Sequence, residues 1–237
     1  LACVFCTSDL QVRHAQISPS SFEKILNKVS QTCRRIALGC SYEPTMAKNL
    51  DEYFLIVKKM LAENKFKNKP VVTFISNGLL LGKRDLDNLD ILDWIHISVH
   101  SHIKENFEKI MRKAKYETLV SNIKSLRNKY KNLNIHIEFV AIKENKNDVE
   151  GFIPWAFDEL KVDSLNIRRV AVGAYAPRSF LEESINNNIK IDLTDEEWID
   201  IQNRVSTSWP NKLSTTPAFN TEDQFLRKKA TTEIIEL

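Results

Sequence analysis

The chain alternates short apolar, β-branched runs with stretches of helical periodicity, and this rhythm constrains its fold more than any other feature. Apolar runs at Ile36-Ala37-Leu38, Val71 to Ile75, Trp94 to Val99, Ile135 to Ile142 and Leu165 to Val170 read as five strands. Phe22, Ile25, Leu26 and Val29 fall on one face of a helix predicted over 20–35, after a Ser-Pro-Ser start. Leu50, Phe54, Val57 and Leu61 do the same for a helix over 50–64. Further helices are expected over 117–130, 148–160 and 194–205, with a short segment at 86–92. Strands separated by helices of roughly 10–15 residues signify βαβ units and a parallel sheet, so the class is α/β. Right-handed crossovers lead from there to a partial or full barrel or to a doubly wound sheet, and periodicity does not choose between them. In either architecture the loops after the strand C-terminal ends build the site. Those loops are 39–45, 76–80, 100–102, 143–147 and 171–175.

Composition narrows the classes further. With 237 residues, 43% of them hydrophobic, the chain has material for a substantial core. Five glycines leave no glycine-rich nucleotide loop of either common type. Lys+Arg 34 against Asp+Glu 31 leaves +3, which indicates no nucleic-acid partner. No apolar run approaches the roughly 18–20 residues of a membrane span, so no membrane is indicated. All four cysteines, Cys3, Cys6, Cys33 and Cys40, lie in the first sixth of the chain, unlike a disulfide scaffold; a reducing, cytoplasmic compartment is expected. The rhythm fades after about residue 173. Residues 1–172 are expected to form the core, and 173–237, with Pro177, Pro210 and Pro217, a C-terminal extension or truncated accessory domain.

Cys3-Val4-Phe5-Cys6 is by itself compatible with a zinc half-site needing two further ligands, or with a redox pair that would have to open a helix. Its context adds more. Leu1-Ala2-Cys3-Val4-Phe5-Cys6 resembles the end of the C-x-x-x-C-x-x-C motif of radical S-adenosylmethionine enzymes, whose first cysteine would sit two residues before Leu1. Gly39-Cys40-Ser41-Tyr42-Glu43-Pro44-Thr45 resembles that family's G-G-E-P-T loop, with Ser41 and Tyr42 in place of the glycine pair. Ser76-Asn77-Gly78 is similar to its T-N-G, Ile97-Ser98-Val99-His100 to its ribose-facing strand, and Lys143-Glu144-Asn145-Lys146-Asn147 to its k-x-N segment. The five stand in the family's order over roughly residues 1–172.

The resemblance implies a partial (β/α)6 TIM-like barrel of the radical S-adenosylmethionine type, its first strand and first cluster cysteine missing. It implies a [4Fe-4S] cluster and S-adenosyl-L-methionine as cofactors, with Cys3 and Cys6 on iron. Phe5 would contact adenine. The Ser41-Tyr42-Glu43 backbone and the Glu43 carboxylate would hold the methionine ammonium. Ser98 and His100 would face the ribose or the methionine end. Arg168 would reach the methionine carboxylate, since Arg169 points to the opposite face. The expected activity is reductive cleavage to a 5′-deoxyadenosyl radical that abstracts hydrogen from a small-molecule or peptide substrate, with an electron donor such as flavodoxin or ferredoxin. A barrel-shaped binding module without a cluster, or a zinc-binding regulatory protein using Cys3 and Cys6, are the alternatives. Taken singly, Glu43 before Pro44 also suits a turn, Ser98 a satisfied core hydroxyl, and His100 and His102 a solvated loop. Cys33 reads as a small apolar filler, and Tyr175 and Arg178 as residues able to meet substrate.

Overall fold

A computed structural model describes residues 2–5, 16–39, 43–84, 87–170, 189–208 and 213–216. Strand β1 (Ala2–Cys3) precedes helix α1 (Pro19–Val29). Next come β2 (Arg35–Leu38), α2 (Leu50–Ala62), β3 (Val71–Ser76) and β4 (Trp94–Ser98). The path to the next long strand runs through α3 (Lys104–Ile110), β5 (Met111–Arg112) and α4 (Tyr116–Lys129). Then follow β6 (Asn134–Ala141), α5 (Val149–Pro154), β7 (Ser164–Arg169), α6 (Asp195–Ser208) and β8 (Leu213–Thr216).

The five expected strands are present within a residue of their predicted ends; β1, α3, β5 and β8 were not anticipated. The first predicted helix ends early, at Val29 rather than residue 35. Ser30 Oγ donates to the Asn27 carbonyl at 2.9 Å and Thr32 Oγ1 to the Val29 carbonyl at 3.3 Å, so side chains take the final carbonyls. Its start is a Ser18 cap, whose hydroxyl accepts the Ser21 N–H at 3.1 Å, with Pro19 in the first turn. On its expected apolar face Phe22 and Leu26 are buried, but Ile25 is 38% exposed. The helix predicted over 148–160 changes character at Pro154, which has no N–H to give, and continues as a π-turn (Trp155–Glu159) closed by Leu160 N–H to the Trp155 carbonyl at 3.2 Å.

The main sheet has six parallel strands in the order β2-β3-β4-β6-β7-β8, and β1 pairs antiparallel with β5 apart from it. Each new parallel strand is added on the same side of the last. With right-handed crossovers, that order puts every connecting helix on one face, whereas a doubly wound sheet reverses its order partway. The fold is therefore a partial barrel, as the resemblance implied, and among the described strands it is not closed.

The two faces of the sheet differ completely. Leu38, Phe74, Ile95 and Ile135 form one continuous row, and Ile97, Ile137 and Leu165 the next, all at most 1% exposed. Phe54 of α2 meets Phe74 at 5.6 Å between ring centroids, and Phe152 of α5 meets Phe139 at 4.7 Å. This is the helix-covered face. Alternate residues of the same strands, His96, Ser98, His136, Glu138, Ser164, Asn166 and Arg168, share the opposite, concave face.

Candidate active site

At the C-terminal ends of the strands several segments converge. Gly39 follows β2 with φ +82°, and an added Cβ would lie 2.6 Å from Pro44 Cγ and 2.9 Å from the Ile75 carbonyl. Only glycine lets the chain turn this sharply against the Glu43-Pro44 turn. Glu43 caps the short 3-10 turn Pro44–Met46. Its Oε1 accepts the Thr45 N–H at 3.2 Å, the Thr45 hydroxyl, and the Ser76 hydroxyl at 2.8 Å. Its Oε2 accepts the Asn77 N–H at 2.7 Å. The carboxylate thus staples the loop after β2 to the loop after β3. Arg84 holds the same turn from outside, its Nε donating to the Thr45 carbonyl at 2.9 Å and a terminal nitrogen to the Ala47 carbonyl. Ser76-Asn77-Gly78 is itself a tight turn, with Gly78 N–H on Ser76 Oγ at 3.0 Å and Leu79 N–H on Asn77 Oδ1 at 3.0 Å.

The cysteine-bearing segment reaches the same rim. Val4 N–H bonds the Ile110 carbonyl at 3.0 Å, and the Phe5 ring stands edge-on to His100 with centroids 4.9 Å apart. Cys3 is half-buried beside them. Cys6, Ser41 and Tyr42 lie outside the described residues, as do Cys40, Tyr175 and Arg178.

His100 is 3% exposed, and its Nδ1 accepts the Val140 N–H at 3.1 Å. Burial pushes its pKa down to about 3 against the opposing pull of Glu138, with Arg168 adding to the fall, so the ring is neutral. Asn145, from the Lys143–Asn147 segment, is fully buried and ties this corner together. Its Nδ2 donates to the His100 carbonyl at 2.7 Å and to the Val140 carbonyl at 3.0 Å, and its Oδ1 accepts the Ile142 N–H at 2.8 Å. His102 does not sit in solvent: it packs against Phe152 and Trp155, and its buried Nδ1 has no hydrogen bond. Cys33 is buried, with Sγ on the Arg35 carbonyl at 3.3 Å, in keeping with a small filler.

On the concave face Ser98 is half-buried and its hydroxyl makes no hydrogen bond to the described residues. Arg168 stands on this face, half-exposed, with Nε 2.7 Å from Glu138 Oε1. Arg169 points to the other face and pairs with Asp195 and the Leu193 carbonyl. Burial pushes the Glu138 carboxyl up, but His136, Arg168 and Asn166 outweigh it and hold it below its usual range, so it is ionised. His136 Nδ1 lies 2.8 Å from Ser164 Oγ, its Nε2 3.6 Å from Glu138 Oε2, and its ring 4.7 Å from that of His96.

Sequence reasoning passed over His96, His136, Glu138 and Asn166. The signal was there: Ile95-His96-Ile97-Ser98, Ile135-His136-Ile137-Glu138 and Leu165-Asn166-Ile167-Arg168 repeat one apolar–polar alternation on three neighbouring strands. Among the described residues no group of three His, Cys, Asp or Glu could hold a metal ion, and no helix is long and apolar enough to cross a membrane.

The family described as the Radical SAM superfamily matches residues 1–156. No curated protein matches the chain. Among solved structures, native anSMEcpe with bound AdoMet and Cp18Cys peptide is similar at TM-score 0.67 and 16% identity, over 98% of this chain and 62% of that one. Coproporphyrinogen III oxidase (HemN) from Escherichia coli, described as a radical SAM enzyme, is similar at TM-score 0.51 and 14% identity, over 88% and 49%. The HMG-CoA lyase from Brucella melitensis follows at TM-score 0.51 and 8% identity, over 96% and 76%. At these identities the likeness is one of fold. The chain spans less than two thirds of the length of the first of these.

Proposed function

Because the chain belongs to the radical S-adenosylmethionine superfamily, we propose that it binds a [4Fe-4S] cluster and S-adenosylmethionine at the strand-end rim and acts as a radical oxidoreductase. The observation that carries this reading is the convergence of Cys3, Phe5, Glu43, Ser98 and Arg168, from segments far apart in sequence, on one end of one parallel sheet. The donor set fits the cofactor pair: a half-buried cysteine, and a hydroxyl and two guanidinium terminal nitrogens that have no hydrogen-bond partner among the described residues. A bound cluster would supply the electron for reductive cleavage of S-adenosylmethionine, and the bound S-adenosylmethionine would supply the 5′-deoxyadenosyl group for hydrogen abstraction from substrate.

Each residue then has a task. Cys3 and Cys6 give thiolates to iron. Phe5 lies against adenine, and His100 fixes the edge of that ring. Glu43 uses most of its lone pairs on its own chain and offers the remaining one on Oε2 to the methionine ammonium, flanked by the Ser41 and Tyr42 backbone. Ser98 bonds the ribose. Arg168 keeps Nε on Glu138 and presents its fork to the methionine carboxylate. Residues 1–172 form the core, and 173–237 an extension whose Leu213–Thr216 lengthens the sheet. An electron donor such as flavodoxin or ferredoxin serves the cluster, in a reducing, cytoplasmic compartment. A peptide substrate is favoured over a small molecule by the neighbouring structure solved with a peptide.

Anaerobic reconstitution of the full-length protein, followed by assay for 5′-deoxyadenosine, tests the reading. The brown chromophore and S-adenosylmethionine cleavage are both expected, and both are expected to vanish in Cys3→Ala and Cys6→Ala. Cleavage that survives in Cys6→Ala, or is never seen in the reconstituted wild type, removes the radical reading.

A further inference from the structure

We propose that His96, one concave-face position below Ser98 on β4, is a substrate-binding residue that receives an uncharged hydrogen-bonding group of the substrate, a hydroxyl or a carboxamide. The inference rests on the cofactor reading above, which assigns the rim to S-adenosylmethionine and leaves the deeper row to substrate. Two residues along a strand separate the two rows by roughly 6–7 Å.

The neighbours of His96 are committed and His96 is not. Glu138 accepts from Arg168 Nε at 2.7 Å and from Asn166 Nδ2 at 3.1 Å. His136 faces that carboxylate through Nε2 at 3.6 Å, so Nε2 carries the proton and Nδ1 accepts the Ser164 hydroxyl at 2.8 Å; the tautomer is assigned from the network. His96 is half-buried beside the His136 ring, yet neither of its nitrogens has a hydrogen-bond partner among the described residues. His100 shows what a structural histidine on the same strand path does: it is buried and spends Nδ1 on a backbone N–H. His96 has the opposite pattern, and so does Ser98 two residues on.

The charge balance selects the ligand class. Burial, then His136 and Arg35, press the His96 pKa down to about 4 against the pull of Glu138. The ring is therefore neutral at pH 7, with one N–H to donate and one lone pair to fill. A group that both accepts and donates meets both needs. An anion would face the Glu138 carboxylate, and a cation the Arg168 and Arg35 guanidinium groups.

The test is a ligand-observed saturation-transfer NMR titration of the full-length reconstituted protein, with and without S-adenosylmethionine. The probes are N-acetylserine methylamide, acetate and ethylammonium. The neutral probe is expected to bind saturably to wild type and about three- to tenfold more weakly to His96→Phe, the loss of one neutral hydrogen bond. His96→Gln, which keeps a donor and an acceptor, is expected to retain binding and covers the case in which the Phe variant fails to fold. S-adenosylmethionine affinity is expected to be unchanged in both variants. Equal binding of the neutral probe to wild type and His96→Phe, no binding to wild type, or preference for either ion overturns the proposal. Weakened S-adenosylmethionine binding in His96→Phe also overturns it, by moving His96 into the cofactor site. Absence of S-adenosylmethionine binding to wild type sinks the cofactor reading instead, and the probe titration run without it still reports on His96.

Discussion

The two faces of the six-stranded sheet are made by alternate residues of the same strands, yet they obey different physics. On the helix-covered face Phe74, Ile95, Ile97, Ile135, Ile137, Phe139, Leu165 and Ile167 are at most 1% exposed, with Phe74 against Phe54 of α2 and Phe139 against Phe152 of α5. On the concave face the equivalent positions hold imidazoles, a carboxylate, an amide, hydroxyls and a guanidinium, most of them half-buried and joined in one network. A parallel sheet covered by helices on both sides reads as continuous apolar strands. Alternation in parallel strands means that one face packs and the other is kept for polar contacts. The first face packs the core; the second is the one we propose for ligand chemistry.

Substitutions on the two faces are the sharpest way to break that division. Phe139→Ala removes a fully buried ring packed on Phe152 and is expected to cost about 3–5 kcal/mol by denaturant unfolding. His96→Gln on the other face is expected to cost under about 0.5 kcal/mol. Equal costs would dissolve the distinction.

Two rim substitutions come next in size. Gly39→Ala forces a Cβ into Pro44 at a positive φ, and about 1–3 kcal/mol of destabilisation is expected in the same unfolding measurement. Unchanged stability would show that the turn after β2 is not held as described. Glu43→Gln keeps an oxygen for Ser76 and Thr45 but leaves the Asn77 N–H facing an amide nitrogen. About 1 kcal/mol is expected, seen as a lower Tm, together with weaker S-adenosylmethionine binding at equal iron content. A lower Tm with unaltered cofactor affinity makes Glu43 a staple only.

A last test of the concave face is its response to pH. His96 titrates near 4 in the folded protein and near 6.5 when unfolded. The unfolded chain therefore takes up the proton first, and this residue's contribution to stability falls as pH drops from about 6.5 to about 4, then levels off. Following its imidazole C–H resonance against pH checks the midpoint. A midpoint near 6.5 would mean that the concave face is fully solvated at this row.

How legible was this in the sequence? The five strands were read within a residue because each is a short β-branched run flanked by turn residues, a local property. Helix ends were read less well: Ser30 and Thr32 capped the first helix from within a stretch that still looked periodic, and Pro154 turned the second half of the 148–160 helix into a π-turn. Glu43 was legible as a candidate, but that its carboxylate joins two strand ends was not, because Ser76 and Asn77 are 33 and 34 residues away. His102, expected in a solvated loop, lies against Phe152 and Trp155 because α5 folds back over the loop after β4.

The amino-acid order by itself determined the α/β class, the parallel sheet, and the motifs that identify the superfamily, since periodicity and short motifs are written in residues close along the chain. Barrel or doubly wound sheet was a different matter. That choice depends on the order in which strands pair, and pairing joins residues tens of positions apart that carry no local mark of one another. Only the tertiary structure decided it, and in doing so it put all the helices on one face and gathered His96, His136, Glu138, Asn166 and Arg168 from three strands onto the other.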